Sequence, residues 1–329
     1  MLRWRRLGLT TAVLASLVTA CTQNLDAGHN RPRLPVDGKN PIIIDQDDWS
    51  ADWLGEYAVL LAAHGGPPLA GVIVNATPYW PNVTINANGW RDFFDAAQSS
   101  GLENIPDVTP SPGSPLTRPP DGRIEMTTPN RSAGAQLIVE LSRTLSTPSR
   151  PVVVLSATSL TDLADAYLID STVVDRVVVI AALGSYEKPR GIMDGPNGDM
   201  DTWADWIVTQ KYRYVQVSGW YDQTGDVTEE QLADLPQNPL GMFMRRKQPD
   251  VLPNLTASDQ IALLSMALPN FVVGLQRSVA DTSVAFNTDA GPPLIPDPTG
   301  NVWVVTQVDG TLAGPRLWAM LRDPSTFGP

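Results

Sequence analysis

Four aspartates follow a short apolar run in the segment IIIDQDDWSADW, residues 42–53: Asp45, Asp47, Asp48 and Asp52. A β-branched run bounded by polar residues predicts a buried strand, and open parallel sheets bind their ligands where such strands end. Asp47 and Asp52 flank a predicted turn, so both could fold back onto one cation. Carboxylate oxygens are preferred ligands of Ca²⁺. The segment therefore predicts a calcium site; the alternative is a solvated acidic loop that caps the next helix.

Strand-like and helix-like segments alternate along the rest of the chain. Apolar strands are predicted at 69–74, 151–155 and 177–180, and helices at 53–64, around 91–94, at 133–145 and near 160–168. Such alternation is typical of a parallel sheet covered on both faces. Residues 102–131 are rich in proline, and no strand is predicted there. The predicted fold class is α/β: an open, mostly parallel sheet with helices on both faces, in a single domain.

The composition limits the classes of partner. The chain has 329 residues, 43% of them hydrophobic, which is enough for a large α/β core. Its net charge is -12 and its pI is near 4.5. This charge argues against a nucleic-acid partner and favours a cation or an uncharged polar ligand.

The N-terminus predicts export and a lipid anchor. Arginines precede the apolar stretch Leu7–Ala20, which is too short to span a bilayer stably and is typical of a signal peptide. The sequence VTAC, ending at Cys21, resembles the bacterial lipoprotein signal, in which the cysteine is acylated. We expect a signal in residues 1–21, a tether in 22–38 and the folded domain in 39–329, held at a membrane of the cell envelope outside the cytoplasm. The alternative is an ordinary signal peptide with a stray thiol.

Several motifs together resemble the nucleoside hydrolases of the inosine/uridine-preferring type. The family's first strand ends in D-x-D-x-x-x-D-D, which residues 45–52 follow at three of four positions. Four further segments match the family in order. Residues 152–164 resemble its strand and G-x-L-T-N-x-A turn, with Asp162 in place of asparagine, and residues 199–205 resemble E-F-N and its downstream aspartate. Residues 257–262 resemble H-D-P-x-A, and residues 300–309 resemble the final strands. The match spans nearly the whole chain after the signal.

The resemblance implies a role for each matched residue. Asp47, Asp52, Asp259 and the backbone carbonyl of Ala157 would hold Ca²⁺ together with ribose hydroxyls, and Asp45 would orient these ligands. The positions that would contact the sugar or the leaving base are Asn75, Thr77, Asp199, Asp201 and Ser258. Family members are often dimers or tetramers, so the resemblance also implies a homo-oligomer.

The chain departs from the family pattern at the proton acceptor. In an ungapped alignment the family's general base falls on Ala51, which cannot take a proton, and the histidine of H-D-P falls on Ser258. Asp48 is a candidate substitute for the base. The chain's two histidines, His29 and His64, fall outside these motifs.

Two functions are consistent with these residues. The first is calcium-dependent hydrolysis of the N-glycosidic bond of a ribonucleoside or related N-riboside, slowed by the missing base. The second is a surface lipoprotein of the same fold that binds a nucleoside or sugar without turnover. A positioned general base contributes roughly 10² to 10⁴ to a rate, so its loss decides between them.

Overall fold

Runs of β-branched residues form the centre of one nine-stranded sheet. The computed structural model describes residues 33–48, 54–182, 196–217, 233–251, 259–312, 319–320 and 322, with the side chains of 196 and 247–251 left out. The strands are β1 (Ile42–Gln46), β2 (Leu69–Asn75), β3 (Val108–Ser111), β4 (Val152–Ala157), β5 (Val177–Ala182), β6 (Arg213–Val217), β7 (Val272–Ala280), β8 (Leu294–Pro296) and β9 (Val302–Val308).

The sheet is parallel over most of its width. Its strand order is β3-β2-β1-β4-β5-β6-β9-β7-β8. All neighbouring pairs from β3 to β9 are parallel, whereas β7 runs antiparallel to both β9 and β8. The predicted α/β fold class with a mostly parallel sheet is therefore confirmed.

Helices cover both faces of this sheet. They are α1 (Leu54–Ala63), α2 (Val83–Ser99), α3 (Ala133–Leu145), α4 (Thr161–Ile169), α5 (Pro196–Asp199), α6 (Thr202–Lys211), α7 (Pro239–Val251) and α8 (Gln260–Ala267), with short 3-10 helices at Ile124–Met126, Ser171–Asp175 and Gly310–Leu312. Because side chains alternate along a strand, Ile42 and Ile44 pack with α1, α2 and α8. Ile43 packs on the other face with α3, α4 and α6.

The Pro-rich segment 102–131 contains an element that the sequence did not predict. Val108–Ser111 forms β3 at the edge of the sheet, paired in parallel with β2. Pro110 lies within it, which an edge strand tolerates because one side of its backbone has no strand to bond. Among the described residues, no helix is long and apolar enough to cross a bilayer.

The first turn of α1 buries a carboxylic acid. Glu56 is 1% exposed, and neither carboxylate oxygen has a hydrogen-bond partner within the described chain. Burial raises the pKa of Glu56 from its usual 4.5 to about 8, and the nearby charge of Asp48 adds to this shift. Glu56 is therefore a neutral acid in the folded protein near pH 7.

This raised pKa predicts how stability changes with pH. Between about pH 4.5 and 8 the unfolded chain gives up the Glu56 proton while the folded chain keeps it, so the free energy of unfolding falls as pH rises. Glu56→Gln removes this contribution. Compared with wild type, the variant should gain roughly 3 to 4 kcal/mol between pH 5 and pH 8, measured by urea unfolding in EDTA.

The matched control is Glu140→Gln, which changes an exposed glutamate of α3. Its stability should follow that of wild type at each pH. If Glu56→Gln differs from wild type by the same amount at pH 5 and pH 8, Glu56 does not hold a proton across this range.

Candidate functional site

The carboxyl ends of three adjacent central strands, β2, β1 and β4, lie side by side along one edge of the sheet, the edge at which the strands end. β1 lies between β2 and β4, with Gln46 in register with Val74 and Ala157. Asp45 lies in β1, Asp47 directly follows it, and Asn75 ends β2. Ala157, whose carbonyl is a predicted calcium ligand, is the buried last residue of β4. Parallel topology thus brings residues from distant parts of the sequence to one edge.

Asp45 and Asn75 form a buried pair at this edge. Asn75 Nδ2 donates to Asp45 Oδ1 over 2.5 Å. Within the described residues, Asp45 Oδ2 and Asn75 Oδ1 have no hydrogen-bond partner. Burial raises the pKa of Asp45 well above its usual value, and the nearby charge of Asp162 raises it further. The pair therefore keeps two acceptor atoms unused beside the predicted site.

Asp47 is held by a hydroxyl and lies close to a second carboxylate. Thr77 Oγ1 donates to Asp47 Oδ2 over 2.6 Å, and Asp47 is only 6% exposed. Burial raises the pKa of Asp47 to about 7; the bond from Thr77 lowers it and the charge of Asp259 raises it. Asp259 immediately precedes α8, and its Oδ2 accepts from Gln46 Nε2 at 3.1 Å. The structure therefore brings together Asp47, Thr77 and Asp259, and their predicted roles stay predictions.

Asn86, which the sequence analysis did not indicate, connects the backbone segments at this edge by hydrogen bonds. Asn86 lies on the buried face of α2, and its Nδ2 donates to three backbone carbonyls: those of Asp47 at 2.7 Å, Asn75 at 2.9 Å and Trp80 at 3.0 Å. It thereby joins the ends of β1 and β2 to the loop that follows β2. The available signal was an amide on the apolar face of an amphipathic helix, since a buried amide needs partners.

A second buried acid lies behind Asn75. Ser111 Oγ and Ser132 Oγ lie 3.0 Å and 2.6 Å from Asp162 Oδ1, while no partner is present for Asp162 Oδ2 in the described part of the chain. Burial raises the pKa of Asp162 to about 6, and hydrogen bonds from these serines and Asn75 lower it. Asp162 is the aspartate found where the family motif has asparagine, and its role could not be predicted from that substitution alone.

Two other predicted residues lie in different surroundings. Asp201 caps α6: its Oδ1 accepts from Ala204 N at 3.0 Å, and its Oδ2 accepts from Leu116 N at 2.9 Å and Thr161 Oγ1 at 2.8 Å. Asp199 is exposed at the end of α5. Asp201 thus has a structural role, and the predicted sugar contacts of both residues stay predictions.

Asp48, the candidate substitute base, is buried at the end of β1. Trp90 Nε1 donates to the backbone carbonyl of Asp48 over 3.0 Å. The carboxylate of Asp48 raises the pKa of Glu56 in α1. His64 directly follows α1, where its Nδ1 donates to Leu60 O. The role of Asp48 as a substitute base stays a prediction.

Several predicted residues lie outside the described residues. They are Cys21, Ala51, Asp52 and Ser258. In the part that is described, no group of three His, Cys, Asp or Glu side chains could hold a metal ion. The predicted calcium set has two carboxylates there, Asp47 and Asp259, and its third is Asp52. The calcium site therefore stays a prediction.

Comparisons with known proteins identify the fold. No protein-family model matches the sequence, and no curated protein matches it. The inosine-uridine preferring nucleoside hydrolase of Bacillus anthracis superimposes with a TM-score of 0.60 at 15% identity, over 87% of this chain and 99% of that chain. The purine-preferring ribonucleoside hydrolase of Gardnerella vaginalis superimposes with a TM-score of 0.56 at 14% identity, over 87% of this chain and 98% of that chain. An inosine-guanosine nucleoside hydrolase superimposes with a TM-score of 0.59 at 15% identity, over 88% of this chain and 100% of that chain.

These superpositions cover almost the full length of each neighbour, although the sequence identities are low. The resemblance drawn from the motifs is therefore confirmed at the level of fold. The chain has the fold of the nucleoside hydrolases.

Proposed function

We propose that this protein is a calcium-dependent hydrolase of the N-glycosidic bond of a ribonucleoside or a related N-riboside. The observation that carries the proposal is the pairing of Asp47 with Asp259. Asp47 directly follows β1 and Asp259 immediately precedes α8, and the charge of Asp259 raises the pKa of the largely buried Asp47. Such a pair is stabilised by a cation.

The residues fit Ca²⁺ by their chemistry. Asp47, Asp52, Asp259 and the carbonyl of Ala157 would hold the ion, and all of these donors are oxygens, as Ca²⁺ requires. The pKa of Asp47, raised to about 7, reflects burial of a carboxylate without a balancing positive charge. When bound, Ca²⁺ supplies that charge and attracts the hydroxyl oxygens of a sugar.

The neighbouring residues would orient the sugar and stabilise charge. Asn75 holds Asp45 by a hydrogen bond, and the remaining oxygens, Asp45 Oδ2 and Asn75 Oδ1, would accept hydrogen bonds from sugar hydroxyls. Breaking an N-glycosidic bond places positive charge on the sugar ring, as in other glycoside cleavages, and nearby carboxylates stabilise that charge. In this reaction Asp48 would take the proton from the attacking water.

The substrate class is supported by the neighbours of known structure. They are named as nucleoside hydrolases with inosine-uridine, purine or inosine-guanosine preference. A net charge of -12 also favours an uncharged nucleoside over a phosphorylated one. The alternative is binding of a nucleoside or sugar without turnover, which Ala51 favours because alanine cannot accept a proton.

Calcium binding predicts opposite effects of one substitution. Adding Ca²⁺ should raise the melting temperature of wild type. At a Ca²⁺ concentration of 100 times Kd, the free energy of unfolding should rise by about 3 kcal/mol. Asp47→Asn should abolish this rise. In EDTA at pH 8, however, Asp47→Asn should melt higher than wild type, because it removes a buried negative charge while leaving an acceptor for Thr77.

The matched control is Asp92→Asn, which changes an exposed aspartate of α2 and should keep the wild-type response to calcium. Thermal unfolding with and without millimolar Ca²⁺ measures all three proteins. A wild-type melting temperature that does not respond to calcium would contradict the site.

Restoring a carboxylate at position 51 tests the missing base. Ala51→Asp should increase the rate of nucleoside hydrolysis by roughly 10² or more, because this is the usual contribution of a positioned base. Ala51→Asn has nearly the same shape but no proton acceptor at neutral pH, so it should show no gain. Release of free base from a panel of nucleosides is the measurement.

Two other outcomes would change the assignment. If wild type is already fast and Asp48→Asn removes activity but keeps the calcium response, Asp48 is the base. If Ala51→Asp responds to calcium but hydrolyses no nucleoside, binding without turnover is the better description of the protein.

A further inference from the structure

Basic residues gather where the central strands of the sheet begin. Strands β1, β4, β5 and β6 are adjacent and parallel, so their amino ends lie side by side. A basic residue stands at the start of each strand or within three residues before it: Lys39, Arg150, Arg176 and Arg213. Because neighbouring strands are about 4.8 Å apart, these backbone positions fall within a width of about 15 Å. We call this surface the amino face; it lies opposite the edge that carries the candidate site.

The end of α3 adds a cation and an apolar side chain to the amino face. Helix α3 precedes β4, so its last turn and the following loop lead to the amino end of that strand. Arg143, in this last turn, has a side chain that is 61% exposed, and Leu145 is 39% exposed. An exposed leucine among arginines is a composition that favours the boundary between water and lipid headgroups.

The acids of the amino face are fewer than its cations. Asp170 Oδ2 accepts from Arg143 Nη2 at 2.8 Å and from Arg176 Nη2 at 2.7 Å, so one carboxylate serves two arginines. Asp37 and Asp175 are the other acids beside these strand starts. The amino face therefore has five cations and three carboxylates, and its net charge is positive.

This positive surface is an exception in an acidic molecule. The chain as a whole has a net charge of -12. Lys211 and Glu125 pair with each other at 3.0 Å and add no net charge at the end of α6. Further acids lie where outer strands meet the same edge, at Glu103 and Asp107 before β3 and at Asp281 after β7. An extended anionic surface is therefore attracted by the centre of the amino face and repelled by its surroundings.

The chain enters the folded domain at the amino face. Leu34 and Val36 are partly buried and pack against the core. A side-chain carbon at Gly38 would lie 3.4 Å from the backbone of Ala267, the last residue of α8. Helix α8 begins beside the candidate site, where Asp259 precedes it, so its last residue lies toward the amino face. The segment before β1 is thus fixed to the domain at this end of the sheet.

A lipid on Cys21 would keep the amino face near the membrane. Twelve residues lead from Cys21 to Arg33, and a chain of this length spans at most about 40 Å. The predicted anchor and the positive face thus belong to the same end of the domain. Attraction between surface charges acts over a Debye length of about 10 Å at 0.1 M salt, an approach that this length of chain allows.

We propose that the amino face docks on the anionic phospholipid surface of the membrane that holds the lipid anchor. Lys39, Arg143 and Arg150 would contact the lipid phosphates, and Leu145 would lie at the depth of the headgroups. The inference goes beyond the proposed function and rests on the predicted lipid on Cys21. Each lysine or arginine near an anionic leaflet strengthens the attraction roughly fivefold, which is sufficient to orient a protein that is already tethered.

This orientation directs the candidate site away from the bilayer. The site lies at the carboxyl ends of strands whose amino ends form the face, and a strand of six residues such as β4 is about 20 Å long. A water-soluble ligand would then reach the site from the aqueous side.

Energy transfer from two dye positions to an acceptor lipid tests the orientation of the mature, acylated protein in vesicles. Cys21 is the only cysteine of the chain, and its acylation leaves an introduced cysteine as the only thiol. Ser149→Cys puts the dye on the amino face, and Tyr79→Cys puts it in the exposed loop that follows β2 at the opposite edge. In phosphatidylcholine vesicles that contain phosphatidylglycerol, transfer from position 149 should be several times stronger than transfer from position 79.

Lipid composition, salt and charge reversal provide the controls. The difference between the two positions should largely disappear without phosphatidylglycerol, or in about 1 M salt, where the Debye length falls to about 3 Å. Lys39→Glu with Arg150→Glu reverses two exposed cations of the amino face and should remove the preference for position 149. Arg91→Glu with Arg246→Glu makes the same change of net charge at exposed arginines of α2 and α7, and should keep the preference.

Thermal unfolding shows whether each charge-reversed protein is folded. If the reversed amino face prevents folding, the lipid and salt dependence of the protein with its natural charges still decides.

The remaining outcomes each contradict the proposal. Equal transfer from both positions in phosphatidylglycerol vesicles would overturn it, and stronger transfer from position 79 would turn the candidate site toward the membrane. A preference for position 149 that persists without anionic lipid, in high salt or after reversal of the amino face would show that charge does not orient the domain. Loss of the preference in the control pair would assign the effect to net charge. If the protein does not remain with the vesicles, the lipid on Cys21 and this inference both fail, while the proposed hydrolase function is unaffected.

Discussion

The site depends on the burial of several negative charges at one edge of a parallel sheet. Asp45, Asp47 and Asp162 are all buried there, and the pKa of each is raised, first by burial. None of these three carboxylates forms an ion pair with a described arginine or lysine, whereas Asp170 pairs with Arg143 and Arg176. A buried carboxylate without a positive partner must either keep a proton or acquire a cation. The hydrogen bonds from Asn75, Thr77 and the two serines position the acids for one of these two states.

Under the proposed function, protons and a cation would compete for the same carboxylates. Because the pKa of Asp47 is raised to about 7, protonation and a metal ion are both accessible to it near neutral pH. Keeping such acids together lowers the stability of the folded protein, as is common at functional sites. Asn86 limits this cost by tying the ends of β1 and β2 together through their carbonyls. The backbone then stays fixed whichever state the carboxylates adopt.

The sequence predicted the elements with strong local signals. Helix α3 begins and ends at the predicted residues, 133 and 145, because Ser132 caps a clear amphipathic pattern. Strand β3 was not predicted, since proline is common in loops and an edge strand tolerates it. Thr77 and Asn75 were predicted from position in a motif, and the structure shows their partners. Asn86, Glu56 and Asp162 carry no local pattern: their importance follows from burial and from contacts that only the tertiary fold creates.

Two departures from the family motif act on charge in opposite directions. Ala51 removes a carboxylate from the loop after β1, whereas Asp162 adds one where the motif has asparagine. The added charge lies in the first turn of α4 and raises the pKa of Asp45. It cannot replace a base on the loop, because it is fully buried and bonded to two serines. The electrostatic attraction for a cation can thus persist while the proton acceptor is lost. Under the proposed function, calcium binding and turnover would be separable in this chain, because they would depend on different carboxylates.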